Sequence, residues 1–128
     1  MFKSEYVIVG ANVAAVGAID GIRRHDAKSS ILTISYESLG SYSKAMLAEY
    51  IEGANAQWLE YRGKDYFKKM GVDCLFGRKV TGINIEKSML TTDNGDEVSY
   101  KKLLLGVGGV PFKPAIKGAE GKELVFTF

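Results

Sequence analysis

Tyr6-Val7-Ile8-Val9-Gly10-Ala11-Asn12-Val13-Ala14-Ala15 is the stretch on which the fold of this chain turns. A run of β-branched and aromatic residues from Tyr6 to Val9 reads as a strand buried on both faces, and Gly10 ends it in a turn. Beyond the turn Ala15, Ala18, Ile19 and Ile22 recur at helical spacing while Asp20, Arg23 and Arg24 fall on the other side. This predicts a helix from Asn12 to about His25. Asp26 to Ser29 is a polar break, and Ser30 to Ser35 reads as the next strand. Strand, helix and strand with a short return make a βαβ unit, which requires parallel strands and a right-handed crossover.

Glu37 to Tyr42 is a polar loop, and Ser43 is placed to cap a short helix whose Leu47, Tyr50 and Ile51 share a face. Gly53 ends that helix, and Ala54 to Gly63 has no clear period. Lys64 to Met70 is helical again with Gly71 as its stop, and Val72 to Phe76 reads as a third buried strand. From Arg78 to Ser99 the pattern shortens to alternating segments at Val80 to Asn84, Met89 to Thr92 and Glu97 to Ser99, with Asn94-Gly95 as a hairpin signal. That predicts an antiparallel β-meander inserted between parallel strands. Lys102 to Gly106 is a last buried strand, and Gly106-Val107-Gly108-Gly109 with Pro111 and Pro114 leads into an extended tail. The expected class is α/β, a Rossmann-like parallel sheet with crossover helices and the meander as a third layer.

Composition excludes several function classes. With 128 residues, 46% hydrophobic and 25% charged, the chain has the balance of one soluble globular domain. A net charge of +2, with Arg23-Arg24, Lys68-Lys69 and Lys101-Lys102 dispersed among acids, argues against nucleic acid and makes those pairs solvated faces. The apolar runs are strand-sized and no signal sequence precedes the first strand, so the expectation is a cytoplasmic protein without a membrane segment. Cys74 is the only cysteine and reads as a buried, inert side chain; His25, at the end of a helix, reads as a structural cation. No residues form a catalytic or metal-ligating constellation.

The first turn carries the chemistry. Gly10, Asn12 and Ala15 match a G-x-G-x-x-G/A loop at its first and third positions, with Asn12 in place of the middle glycine. On these residues alone the turn reads either as a tight turn before an ordinary helix or as a loop whose helix N-terminus faces a diphosphate. Asn12 tolerates unusual backbone angles, yet its side chain would occupy the path of the phosphate. Glu37, just past the second strand, stands where an acid accepts hydrogen bonds from both hydroxyls of an adenosine ribose.

The ordered series Tyr6 to Gly10, Ile34 to Glu37, Tyr42 to Lys44, Leu75 to Thr81, Asp93 to Glu97, Leu103 to Gly108 and Val125 to Thr127 resembles pyridine-nucleotide-disulfide-oxidoreductase-type flavoproteins. Within them it is most similar to the branch of NADH:rubredoxin reductases, NADH oxidases and nitrite reductase-type FAD domains. The resemblance implies an FAD/NAD(P)-binding fold, with Gly10, Asn12 and Ala15 at the FAD diphosphate, Glu37 at its ribose and Val80 offering backbone groups to adenine. The family's tyrosine-x-arginine-proline stretch reads here Tyr42-Ser43-Lys44-Ala45, so Lys44 keeps the charge without the fork of arginine. Its alanine-threonine-glycine turn reads Gly106-Val107-Gly108, without the threonine hydroxyl. No cysteine stands near Lys44, and the flavin-facing lysine of related ferredoxin reductases corresponds to Glu49; neither role is carried over.

The resemblance further implies that residues 1–128 are a partial FAD-binding domain of an FAD-dependent NAD(P)H oxidoreductase, the NAD(P)H-binding domain and the return segment lying elsewhere. Such a part, inactive alone, is expected to pair with the remainder of the enzyme or a second subunit, or to self-associate when isolated. The alternative is a non-catalytic Rossmann-like module that binds a nucleotide or a partner.

Overall fold

The computed structural model describes residues 1–119 and 121–122. Its elements are β1 (Phe2–Val9), α1 (Val13–His25), β2 (Ile31–Ser35), α2 (Leu47–Ile51), α3 (Tyr66–Lys69), β3 (Val72–Phe76), β4 (Val80–Asn84), β5 (Met89–Thr92) and β6 (Glu97–Leu105). Short 3-10 turns cover Lys44–Met46 and Ala56–Leu59. All six strands form one sheet in the order β3-β2-β1-β6-β5-β4. The pairs β1/β2, β1/β6 and β2/β3 are parallel, whereas β4/β5 and β5/β6 are antiparallel.

The βαβ reading holds. In β1 and β2 almost every residue of the expected runs is buried, because both faces of the parallel strands are covered. On one face α1 lays Ala15, Val16 and Ile19 against Ile8 and Ile31, and Tyr66, Phe67 and Val72 extend that core. On the other face Leu90 and Val98 of the meander meet Val7, Val9, Leu32 and Ile34, with Val80, Leu75 and Leu103 alongside. Helix, parallel sheet and meander are therefore the three expected layers.

The last parallel strand and the third meander segment are one element rather than two. β6 pairs with β1 from Val98 to Leu105 and with β5 from Glu97 to Ser99, so the meander grows out of the sheet instead of interrupting it. Two strands expected to be buried are only half covered. β3 lies at the sheet edge with Asp73 exposed, and in β6 Leu104 and Leu105 are 40% and 55% exposed, because none of the described residues covers that end of the strand. Ser43 starts the 3-10 turn but makes no side-chain cap, and Tyr50 and Ile51 face solvent.

Arg23 also departs from its solvated reading. Its guanidinium donates to the carbonyls of Met70 (2.7 Å), Ser29 (2.9 Å), Gly71 (3.0 Å) and Asp26 (3.1 Å), tying the end of α1 to the α3–β3 turn. Its neighbours Arg24 and His25 are exposed at the last turn of α1, where positive charge complements the helix dipole. The Val125 to Thr127 part of the motif series and the apolar residues from Leu124 onward lie outside the described residues.

Candidate functional site

Three strands end together. The Gly10 amide donates to the Ile34 carbonyl (2.7 Å) and the Gly106 amide to the Val9 carbonyl (2.8 Å), which draws the carboxyl ends of β2, β1 and β6 into one rim. Gly10 has φ +111, and a Cβ built on it would stand 2.1 Å from the Gly106 oxygen. Only glycine fits, both for the backbone angle and for the close approach.

A cleft of about 220 Å³ opens at this rim, lined by Val9 to Asn12, Ile34 to Glu37, Lys44, Arg78 to Val80, Val107 and Gly109. It thus joins Gly10, Asn12, Glu37, Lys44 and Val80, five residues singled out from the sequence. The other three stand behind it. Ala15 is fully buried between α1 and the sheet, where a small residue permits close helix–strand packing. Gly106 is buried beneath the loop, and Gly108, with φ +72, shapes the turn that presents Val107 and Gly109.

The Asn12 side chain is held at both ends of its amide. Its Oδ1 accepts the Ala14 amide (3.0 Å) as the N-cap of α1, and its Nδ2 donates to the Gly106 carbonyl (2.7 Å). The side chain is drawn across toward the β6 turn and links the two halves of the rim.

Glu37 and Lys44 face one another across the cleft, Lys44 Nζ lying 3.6 Å from Glu37 Oε1. Lys44 also sits 5.9 Å above the Tyr42 ring. Burial raises the Tyr42 hydroxyl above its usual pKa, and the charge and hydrogen bond of Glu37 add to the rise. The Glu37 carbonyl accepts the Gly77 amide (3.1 Å), and the Ser35 carbonyl accepts the Arg78 amide (2.9 Å). These bonds hold the β3–β4 loop against the end of β2.

Sequence reasoning missed Tyr36, Arg78 and Lys79 in the cleft wall. The signal that could have found them is topological, since ligand-binding loops succeed the carboxyl ends of parallel strands and Arg78-Lys79 comes directly after β3. Cys74 lies on β3, outside this cleft, and burial pushes its thiol up to about 11, which suits an inert side chain. Among the described residues no group of three or more acidic, cysteine or histidine side chains is arranged to hold a metal, and no helix is long and apolar enough to cross a membrane.

Residues 4–128 match the family described as pyridine nucleotide-disulphide oxidoreductase. The chain is 31% identical to putidaredoxin reductase of Pseudomonas putida over 128 residues, covering 95% of this chain and 30% of that protein. It is 29% identical to the NADH-dependent phenylglyoxylate dehydrogenase subunit epsilon of Aromatoleum evansii over 118 residues, covering 91% and 28%. Among solved structures, an NAD-dependent persulfide reductase from A. fulgidus superposes with a TM-score of 0.81 at 28% identity, covering 92% of this chain and 24% of that one. The putidaredoxin reductase of a covalent complex with putidaredoxin superposes with a TM-score of 0.80 at 26% identity, covering 91% and 28%. The chain therefore spans about a quarter to a third of the length of these relatives. Because the family match runs over residues 4–128, nearly the whole chain, this chain belongs to the pyridine nucleotide-disulphide oxidoreductase family.

Proposed function

We propose that the cleft holds the adenosine and diphosphate portion of FAD, and that the chain is the FAD-binding part of a longer NAD(P)H oxidoreductase. In that protein electrons pass from nicotinamide through FAD to a further acceptor. The observation that carries this reading is convergence: the Gly10 loop and the Glu37 carboxylate line one cleft at the carboxyl ends of parallel strands. Glu37 would accept from the ribose hydroxyls, Lys44 would face the diphosphate, and the Val80 backbone would meet the adenine. Ala15, Gly106 and Gly108 would act by shaping the loop. The cleft suits a nucleoside end rather than a whole dinucleotide, in keeping with a chain that supplies the adenosine half of the site. Bound flavin would supply the hydride and electron chemistry, while the residues of this chain bind and orient it.

The remaining parts of the site would come from the rest of the polypeptide or from a second subunit. A cytoplasmic setting suits nicotinamide chemistry and a chain with no cysteine pair. Exposed Leu104 and Leu105 favour a second reading, in which the domain serves a partner rather than a reaction.

Calorimetric titration with ADP and FAD tests the main reading. Glu37→Ala should weaken both by about 1 to 3 kcal/mol, the range for a lost hydrogen bond to a charged group. Unchanged affinity for both would remove Glu37 from the site, and absence of any binding by the native chain would favour the partner-binding reading.

A further inference from the structure

A second cavity opens at the opposite end of the strands from Gly10. It has a volume of about 600 Å³ and is lined by residues at Lys3 to Glu5, Ser30, Lys87-Ser88 and Ser99 to Lys101. Ser4 stands six positions before Gly10, roughly 20 Å at the usual rise of a strand, so this cavity is remote from the nucleotide cleft.

Its walls carry three lysines against one glutamate. Glu5 is already neutralised by Lys101, whose Nζ lies 2.8 Å from Glu5 Oε2. Lys3 and Lys87 form no ion pair among the described residues, so the cavity keeps an excess of positive charge. The hydroxyls of Ser30 and Ser99 are both engaged, the first accepting the Glu5 amide (2.9 Å) and the second donating to the Phe2 carbonyl (3.5 Å). Ser4 is different. It is 6% exposed, and its hydroxyl has no hydrogen-bond partner among the described residues. A buried hydroxyl left unpaired costs free energy that an acceptor would recover.

We propose that this cavity is a site for a small oxyanion, either free phosphate or the phosphate group of a small metabolite. Lys3 and Lys87 supply the charge, and the Ser4 hydroxyl supplies a donor once the ligand reaches it. Phosphate alone would not fill the volume, which leaves room for an organic portion beside Tyr100.

The test is calorimetric titration of the full chain with inorganic phosphate at constant ionic strength, repeated with ADP present to block the Gly10 cleft. Saturable one-to-one binding that persists with ADP supports the site. The variant K3A/K87A should lose about tenfold or more in affinity, the scale of lost charge-assisted hydrogen bonds, with an unchanged circular dichroism spectrum. Ser4→Ala, which alters no charge, should weaken binding several-fold. A titration without saturation, complete displacement by ADP, equal competition by chloride, or native affinity in K3A/K87A would each overturn the proposal. Glucose 6-phosphate binding more tightly than phosphate would identify the metabolite source, and equal or weaker binding would identify free phosphate; either result presupposes the saturable site.

Discussion

Asn12 shows how a single side chain changes meaning once its partners are known. Along the chain it stands at the middle position of a G-x-G-x-x-A-like turn; in the fold its amide caps α1 and reaches the Gly106 carbonyl. Asn12→Ala removes both bonds and should destabilise the chain by about 1 to 2 kcal/mol, the range for a lost cap, measurable as a lower urea midpoint. Lys44 has a comparable double role in the proposed site, because it lies against the carboxylate that a ribose would need. Lys44→Met should free Glu37 and remove charge from the phosphate end. Adenosine should then bind more tightly and ADP more weakly, each by up to about 1 kcal/mol, the scale of a partly exposed ion pair. Calorimetry with both ligands checks this, and a parallel change for the two would separate Lys44 from the coupling.

At the scale of elements, the join between α1 and β2 is held by charge as well as by packing. Asp26 accepts the Ser29 amide (2.9 Å) and the Lys28 amide (3.2 Å), and the Tyr6 hydroxyl donates to it (3.3 Å). The Ser29 hydroxyl and amide first, then the Lys28 amide and Tyr6, hold its carboxyl at about 2 against an ordinary 3.8. A depressed folded-state pKa means that the unfolded chain binds the proton more readily. The stabilisation is therefore complete above about pH 4 and is lost as pH falls toward 2. Thermal midpoints should decline across that window, and Asp26→Asn should flatten this part of the decline. The hairpin between β5 and β6 was readable from Asn94-Gly95 alone: Gly95 has φ +84, its amide donates to the Thr92 carbonyl (3.0 Å), and Asn94 bonds Asp96 (2.8 Å). The 44–70 segment was harder to read. Its helices are single turns whose Tyr50 and Ile51 stay exposed, and apolar spacing over so few residues does not distinguish a buried face from a bare one.

For the whole molecule, the sheet ends in uncovered apolar surface. Leu104, Leu105 and Val107 are exposed on and after β6, and Val110, Phe112 and Ile116 come next in a tail without regular structure. Contiguous apolar surface beside a partly unpaired strand is normally covered by another chain, so the isolated protein should associate with rising concentration. Light scattering checks this; a strict monomer at high micromolar concentration would show that the surface is tolerated bare. Local patterning was enough to read the βαβ unit, the meander, the glycine turn and the acid beyond β2, because strand alternation, helical spacing and turn chemistry act over a few neighbouring residues. Gly10, Asn12 and Glu37 came together in one cleft for the same reason, since a strand, its turn and its crossover helix set the place of the next parallel strand and its terminal acid; Lys44 and Val80, which only the family resemblance had singled out, line the same cleft. Packing decided the rest. Asn12 chose a partner 94 residues away, Arg23 gathered carbonyls from two turns, β6 served two neighbours, and Arg78-Lys79 entered the cleft wall. The physical reason is that a hydrophobic or polar pattern states what a side chain needs, whereas the arrangement of layers determines which group is near enough to supply it.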